Sequence, residues 1–256
     1  MDFLVLQVLI LQPFNYAKNM VQQQKTISLN PAYWYRGVMA NAVNMGSCTM
    51  IQFAVGGRLK QVVTGGEANA RHLTLAEEMM CGIGAGTVSA VVGSPLELIM
   101  IQQQRKGGNV AIRVSNILEH PANVGRGFAG AAIREALWTC GYLSIPPVVR
   151  RTLMEQYPAT FDSNDKARVP AALLGGLFAC YLTHPFDTIK TCMQGDIERT
   201  KFGTFTQTGG QIWKDSGFFG FYRGATFRYG RMVCAVFIMD FMKDYVGMLM
   251  YPKAFE

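Results

Sequence analysis

The chain has 256 residues and a formal net charge of +7; half of its residues are hydrophobic and only 16% are charged, and it carries 27 glycines and 15 methionines. This composition, with a positive mean hydropathy, argues against a soluble enzyme and favours a helical membrane bundle. The positive charge forms no basic block, which indicates solvated loops or contact with anionic lipids rather than nucleic-acid binding.

Six helices are predicted in chain order, and each ends in or follows a turn signal. Every one mixes apolar residues with glycine, hydroxyl or amide side chains and a few charges, so each must turn a polar face toward partner helices or a water-filled cavity. The stretch Phe3–Leu11 lacks the basic leader and the small-residue cleavage site of a secretory signal, so it is predicted as part of the first helix. The predicted helices cover 2–22, 37–56, 74–101, 127–149, 168–194 and 224–242.

Two short patterns recur three times along the chain. The first pattern starts at a proline late in the first, third and fifth helices and is followed by a glutamine; its copies are PFNYAK at 13–18, PLELIM at 95–100 and PFDTIK at 185–190. The second pattern is a turn that ends in glycine, with copies at 35–37, 128–130 and 222–224.

These copies resemble the mitochondrial carrier family, whose three repeats carry Pro-x-[Asp/Glu]-x-x-[Lys/Arg] with a trailing glutamine, and the resemblance covers essentially the whole chain. It implies an all-α membrane protein with six transmembrane helices in three pseudo-threefold repeats, multi-pass in the mitochondrial inner membrane. A single carrier domain is expected over residues 1–256, with repeats at 1–66, 67–160 and 161–256.

Repeat one is expected to be reduced. Gly86 and Gly176 precede the prolines of the other two repeats and let neighbouring helices approach closely, whereas repeat one has Leu4 at that place. We therefore expect a first helix that does not span the membrane fully. The family also places a short matrix helix after each pattern; 110–120 and 204–214 fit, but 25–34 is too short.

The resemblance implies a matrix gate in which the acid of each odd-numbered helix pairs with the base of the next. Glu97 would pair with Lys190 and Asp187 with Lys18, while the third pair would be the neutral Asn15 and Met100. Three glutamines would hydrogen-bond beneath this network: Gln22, Gln104 and Gln194.

The equivalent cytoplasmic gate is depleted. Asp240 is the one carboxylate and could meet Lys60, whereas Arg150 and Lys243 have no acid of this set. Pro146 and Pro147 are expected to break helix four near its end.

The family binds its substrate midway along the even-numbered helices. Counting back about four helical turns from the bases Lys60, Arg150 and Lys243 gives Asn44, Arg134 and Arg228. Counting forward from the glycine turns gives Leu137 in place of Arg134 and Arg231 in place of Arg228. Guanidinium groups bind carboxylates, and Arg134 followed by Glu135 resembles amino-acid carriers. The alternative is that Arg134 and Glu135 bind neighbouring backbone and loops.

Two functions are therefore expected. The first is transport of a small carboxylate-bearing or amino-acid metabolite by alternating access, and the alternative is a carrier-fold structural subunit of a larger inner-membrane assembly, such as a respiratory complex. Expected partners are the metabolite, membrane lipids including cardiolipin and, for the alternative, other proteins. The sequence predicts no catalytic residue, metal or cofactor, since it has no phosphate loop after a strand, metal-ligand cluster or activated nucleophile.

Overall fold

The computed structural model describes residues 2–66, 73–119, 121–141 and 145–241, and the side chains of 2–6, 121, 164–165 and 239–241 fall outside that description. The described part is helical. Its helices are α1 (Asp2–Gln22), α2 (Pro31–Trp34), α3 (Val38–Val63), α4 (Leu75–Lys106), α5 (Val110–Leu118), α6 (Phe128–Thr139), α7 (Ile145–Gln156), α8 (Asn164–Gly195), α9 (Phe205–Ser216) and α10 (Ala225–Phe241).

Six of these helices form a closed ring. In chain order α1, α3, α4, α6, α8 and α10 each pack on the next, and α10 returns to pack on α1. The prolines of the three repeated patterns lie inside α1, α4 and α8, where each removes one backbone donor and bends its helix. Among the described helices, Leu75–Lys106 and Lys166–Gly195 are long and apolar enough to cross a membrane.

Close helix approach is confirmed at the predicted glycines. A Cβ added to Gly86 of α4 would lie 2.3 Å from the backbone oxygen of Glu135 in α6. A Cβ on Gly176 of α8 would lie 2.1 Å from the sulfur of Met232 in α10. At Gly86 the close atoms are backbone, so only glycine permits α4 and α6 to pack as they do. At Gly176 the close atoms belong to the Met232 side chain, which would have to move if a larger residue replaced the glycine.

The first helix has the predicted bounds. α1 has 21 residues, which at a rise of about 1.5 Å per residue gives about 31 Å, whereas its counterparts α4 and α8 have 32 residues each. The first helix is therefore the shorter one, and its incomplete crossing of the membrane stays a prediction. The connection after it is reduced as predicted, because the single turn α2 stands where the later repeats have α5 and α9.

The predicted fourth helix is described in two parts. α6 runs to Thr139, and Cys140 and Gly141 continue it as a π-helical turn. Residues 142–144 lie outside the described residues, and α7 starts at Ile145 with Pro146 and Pro147 in its first turn. Proline is tolerated there because the first amides of a helix have no intrahelical acceptor. The two prolines therefore do not end α7, so the predicted break at this pair is not seen in the described residues, and α7 packs mainly along α8.

The glycine turn of repeat two lies three residues before the position predicted from sequence. Glycines with a left-handed backbone precede α3, α6 and α10: they are Gly37, Gly127 and Gly224, with φ of 78°, 77° and 79°. The turn equivalent to 35–37 is therefore 125–127, in which Gly125 replaces the aromatic residue, and the predicted 128–130 is already the first turn of α6.

Each left-handed glycine packs against the end of a proline pattern from another repeat. A Cβ on Gly37 would lie 3.1 Å from Met100 Cγ, and one on Gly127 would lie 3.3 Å from Lys190 Cγ. On Gly224 it would lie 3.2 Å from the carbonyl oxygen of Lys18. The turns therefore link all three repeats at one end of the ring.

Candidate functional site

Two ion pairs join the proline patterns inside the ring. Lys18 Nζ lies 2.9 Å from Asp187 Oδ2 and links α1 to α8. Lys190 Nζ lies 2.7 Å from Glu97 Oε2 and links α8 to α4. Both predicted pairs are present, and all four groups are buried or nearly so. We call these residues, with Asn15 and Met100, the ring floor.

The third junction of the ring floor is neutral, as predicted. Asn15 Nδ2 donates to the sulfur of Met100 at 3.4 Å. One turn further along, Asn19 Nδ2 donates to Gln104 Oε1 at 2.6 Å. α1 and α4 are therefore joined here by uncharged contacts, and removing both charges leaves no isolated ion in this buried position.

The three trailing glutamines bind different partners. Gln22 donates to Asp187 Oδ2 at 3.1 Å, which supports the Lys18 ion pair directly. Gln104 accepts from Asn19 as described above. Gln194 donates to the backbone carbonyls of Ser94 and Arg126 at 3.3 and 3.4 Å, so it joins α8 to α4 and to the turn before α6 rather than supporting an ion pair.

Arg134 of α6 contacts both acids of the ring floor. Its Nη2 lies 2.8 Å from Glu97 Oε1 and also contacts Glu135, while its Nε lies 3.6 Å from Asp187 Oδ1. Glu97 therefore receives Lys190 on one carboxylate oxygen and Arg134 on the other. The alternative in which Arg134 binds only neighbouring backbone and loops does not describe this geometry.

Arg228 of α10 is also committed to neighbours. Its Nη2 donates to Thr183 Oγ1 at 2.7 Å, and its Nη1 lies 3.7 Å from Asp187 Oδ2. The guanidinium lies over the ring of Trp138, 5.1 Å from the centroid, as in a cation–π contact.

A cavity of about 110 Å³ lies directly above the ring floor. All five residues predicted to contact substrate line it: Asn44, Arg134, Glu135, Arg228 and Arg231. Arg231 differs from the other two arginines, because it makes no hydrogen bond or ion pair with any described residue. Its Nε is buried and has no partner.

The corrected turn removes the disagreement between the two counts in repeat two and leaves it in repeat three. Seven residues after the left-handed glycines Gly37 and Gly127 stand Asn44 and Arg134, and seven after Gly224 stands Arg231. Leu137 arose from placing the repeat-two turn three residues too late. Counting from either end therefore selects Arg134, and the turn selects Arg231 in repeat three.

Several polar residues of the site were not predicted. Gln52 donates to Glu135 Oε2 at 2.9 Å and to Ser89 Oγ at 3.1 Å, so both oxygens of Glu135 are engaged. The polar positions 41, 44, 48 and 52 share one face of α3 at helical spacing. That periodicity was the available signal for the cavity wall, whereas nothing local in sequence pointed to Trp138 or Thr183.

The opposite end of the ring differs from its prediction. Lys60 lies 2.6 Å from Glu78 at the start of α4, an acid that the gate motif does not include. The side chain of Asp240 and all of Lys243 lie outside the described residues. Arg150 faces a second cavity between α4 and α7.

Positive charge is in excess around the central cavity. Five cations, Lys18, Lys190, Arg134, Arg228 and Arg231, stand against three carboxylates, Glu97, Glu135 and Asp187. The described site thus carries an excess of two positive charges. Because isolated charge inside a membrane bundle is costly, such a site favours an anionic group.

A ring of six helices around a polar cavity, with a proline pattern in three of them and ion pairs between these patterns at one end, defines a carrier-type transport protein. Comparisons with known proteins agree. Residues 166–253 match the model of the family described as mitochondrial carrier protein.

Three relatives show the range of the similarity. The mitochondrial glycine transporter YMC1 of Saccharomyces cerevisiae is 23% identical, over 86% of this chain and 80% of the relative. The mitochondrial glycine transporter of Kluyveromyces lactis is 23% identical, over 80% of this chain and 79% of the relative. The mitochondrial 2-oxodicarboxylate carrier 1 of Saccharomyces cerevisiae is 26% identical, over 64% of this chain and 56% of the relative.

The chain thus resembles the mitochondrial carrier family, over residues 166–253 by the family model and over most of its length by the first two of these relatives. The relatives are named as transporters or carriers, and the described ring of six helices around a polar cavity fits the same class of protein.

Proposed function

We propose that this protein spans the mitochondrial inner membrane and exchanges a small carboxylate-bearing or amino-acid metabolite by alternating access. The observation that carries the proposal is Arg231, a guanidinium without a partner among the described residues, in a cavity with an excess of positive charge. A substrate carboxylate would supply both the missing hydrogen-bond acceptors and one of the missing negative charges.

The relatives support a carboxylate as the recognised group. Two of them are named for glycine and one for 2-oxodicarboxylates, and these compounds share a carboxylate and small size. In this proposal Arg231 binds the carboxylate, and Asn44 and Arg228 line the remaining wall of the cavity.

An amino acid makes a further demand on the site. Its ammonium group needs an acceptor, and Glu135 is one of the two carboxylates that line the cavity. Arg134 and Gln52 each engage one of its oxygens, so an ammonium group would share Glu135 with them, whereas a keto acid needs no such acceptor. Glycine and 2-oxoglutarate together distinguish these two substrate types.

The ring floor serves as the matrix gate in this proposal. Opening it requires separation of Lys18 from Asp187 and of Glu97 from Lys190, with loss of the hydrogen bonds of Gln22. Substrate can drive this change only by binding the intermediate state more tightly than the closed state. Lys60 and Asp240 would contribute at the cytoplasmic end.

Lipids and proteins complete the expected partners. The net positive charge suits anionic lipids such as cardiolipin. The relatives are named as transporters, which favours transport over the hypothesis of a structural subunit in a respiratory complex.

Counter-exchange in sealed liposomes tests the proposal. Purified protein is reconstituted into vesicles loaded with an unlabelled compound, and uptake of the same labelled compound is followed for glycine, 2-oxoglutarate, malate and, as a carboxylate-free control, glycinamide. We expect saturable uptake of at least one carboxylate and none of glycinamide. Absence of uptake for every carboxylate, from protein that remains folded in the vesicles, would contradict the proposal.

A further inference from the structure

A second cavity lies at the opposite end of the bundle from the ring floor. It has a volume of about 380 Å³ and lies between the start of α4 and the helix α7. Its lining is half apolar and half charged: Leu73, Glu78, Pro147, Val148, Arg150, Arg151, Met154 and Glu155. The cavity is larger than the central one and shares no residue with it.

The packing of α7 accounts for this space. α6 packs along α4, whereas α7 packs mainly along α8 and makes little contact with α4. The side of α7 toward the start of α4 therefore stays open and presents Arg150 and Arg151 to the cavity.

These two arginines have no counter-charge among the described residues. Neither makes a hydrogen bond or ion pair there. Of the two acids in the lining, Glu78 already binds Lys60 at 2.6 Å. Glu155 is an exposed carboxylate on α7 itself and makes no ion pair with either arginine.

We propose that this cavity binds a phosphate group, with Arg150 and Arg151 as its ligands. Two adjacent guanidinium groups offer the paired donors that phosphate oxygens prefer. The apolar wall formed by Val148, Met154 and Leu73 suits the glycerol and acyl region of a phospholipid. The same chemistry also admits a soluble phosphate ester, and the two sources differ only in their need for that wall.

Native mass spectrometry of the full-length protein in a mild non-ionic detergent tests the site. Dioleoylphosphatidylglycerol and dioleoylphosphatidylcholine are titrated separately, and glycerol 3-phosphate serves as the probe without acyl chains. The double variant R150Q/R151Q is compared with R58Q/K166Q, which removes two cations from exposed positions at the same end of the bundle.

Wild type and R58Q/K166Q should bind one more phosphatidylglycerol than R150Q/R151Q, or bind it about tenfold more tightly, as expected for the loss of a charged pair. If glycerol 3-phosphate competes with phosphatidylglycerol for the site, a soluble phosphate ester is sufficient for binding. If it does not compete, the site requires the lipid. If wild type and R150Q/R151Q bind phosphatidylglycerol equally and also bind glycerol 3-phosphate equally, the proposal is overturned. Because this test measures binding rather than transport, its outcome is independent of the exchange assay.

Discussion

Asn15 donates a hydrogen bond to the sulfur of Met100 at 3.4 Å, at the one junction of the ring floor that holds no ion pair. The side chains touch, so a charged pair would fit between the same two helices. The α1–α4 junction is therefore the electrostatically weakest contact of the ring floor.

Restoring a charge at both positions should strengthen this junction. We predict that N15D/M100K unfolds at a higher temperature than either single variant and exchanges substrate several-fold more slowly, because a third bridge must break for the gate to open. Each single variant should be destabilised by about 3–5 kcal/mol, the cost of leaving one buried charge unpaired. Thermal unfolding in detergent and the exchange rate measure both effects; a double variant less stable than both singles would contradict the prediction.

Asp187 should be the most sensitive acid of the ring floor. It is fully buried, and Lys18, Lys190, Arg134 and Arg228 all lie within 4 Å of it. D187N leaves these cations with less compensating charge, so we predict a loss of about 3–5 kcal/mol in the free energy of unfolding.

The exposed ion pair between Asp162 and Lys166 provides the control for Asp187. D162N should change stability by less than about 1 kcal/mol, as is usual for a surface pair. Equal effects of D162N and D187N on thermal unfolding would show that the buried network does not stabilise the fold.

The position of the repeat-two turn can be tested with two neighbouring glycines. G127A should destabilise the protein by about 1–2 kcal/mol, because alanine disfavours the left-handed backbone. Its Cβ would also lie 3.1 Å from Gln194 Cγ. G125A should be nearly neutral, since no atom lies within 4 Å of a Cβ there. The reverse order in thermal unfolding would contradict this placement of the turn.

Asp196, just after α8, should confer a pH-dependent stability. Burial raises the pKa of its carboxyl, but hydrogen bonds from the backbone amides of Phe202 and Lys201 and from the Thr200 hydroxyl outweigh burial and hold the pKa below its ordinary value. A lowered folded-state pKa means that this contribution is fully present above the unfolded pKa of about 3.9. It is lost as pH falls through the folded-state pKa.

We predict that D196N removes this contribution, so that its deficit in stability relative to wild type is constant above about pH 5 and shrinks below about pH 4. Denaturant unfolding of the two proteins across this range measures the deficit. D215N, which alters an exposed acid of the adjacent helix α9, is the matched control and should show a much smaller deficit at every pH. A deficit for D196N that grows at low pH would contradict the assignment.

The sequence predicted the six helices, the close-packing glycines and both ion pairs, because these features repeat at matching positions and follow simple steric and charge rules. It misplaced the repeat-two turn because Gly125 lacks the aromatic marker, so only the backbone conformation of Gly127 identifies the equivalent position. The contacts of Arg134 with Glu97 and Asp187 depend on how α4, α6 and α8 meet, which no local pattern encodes. Glu78 was missed as the partner of Lys60 for the same reason.

The central claim is that Arg231 binds the substrate carboxylate in the cavity above the ring floor. The most direct measurement is the initial rate of counter-exchange for wild type, R231Q and the control R58Q, which removes an exposed arginine of α3, with equal amounts of folded protein in each vesicle preparation. We predict that R231Q lowers the rate at least tenfold, equivalent to about 1.4 kcal/mol, while R58Q leaves it unchanged. An initial exchange rate of R231Q equal to that of wild type at every substrate concentration would contradict the claim.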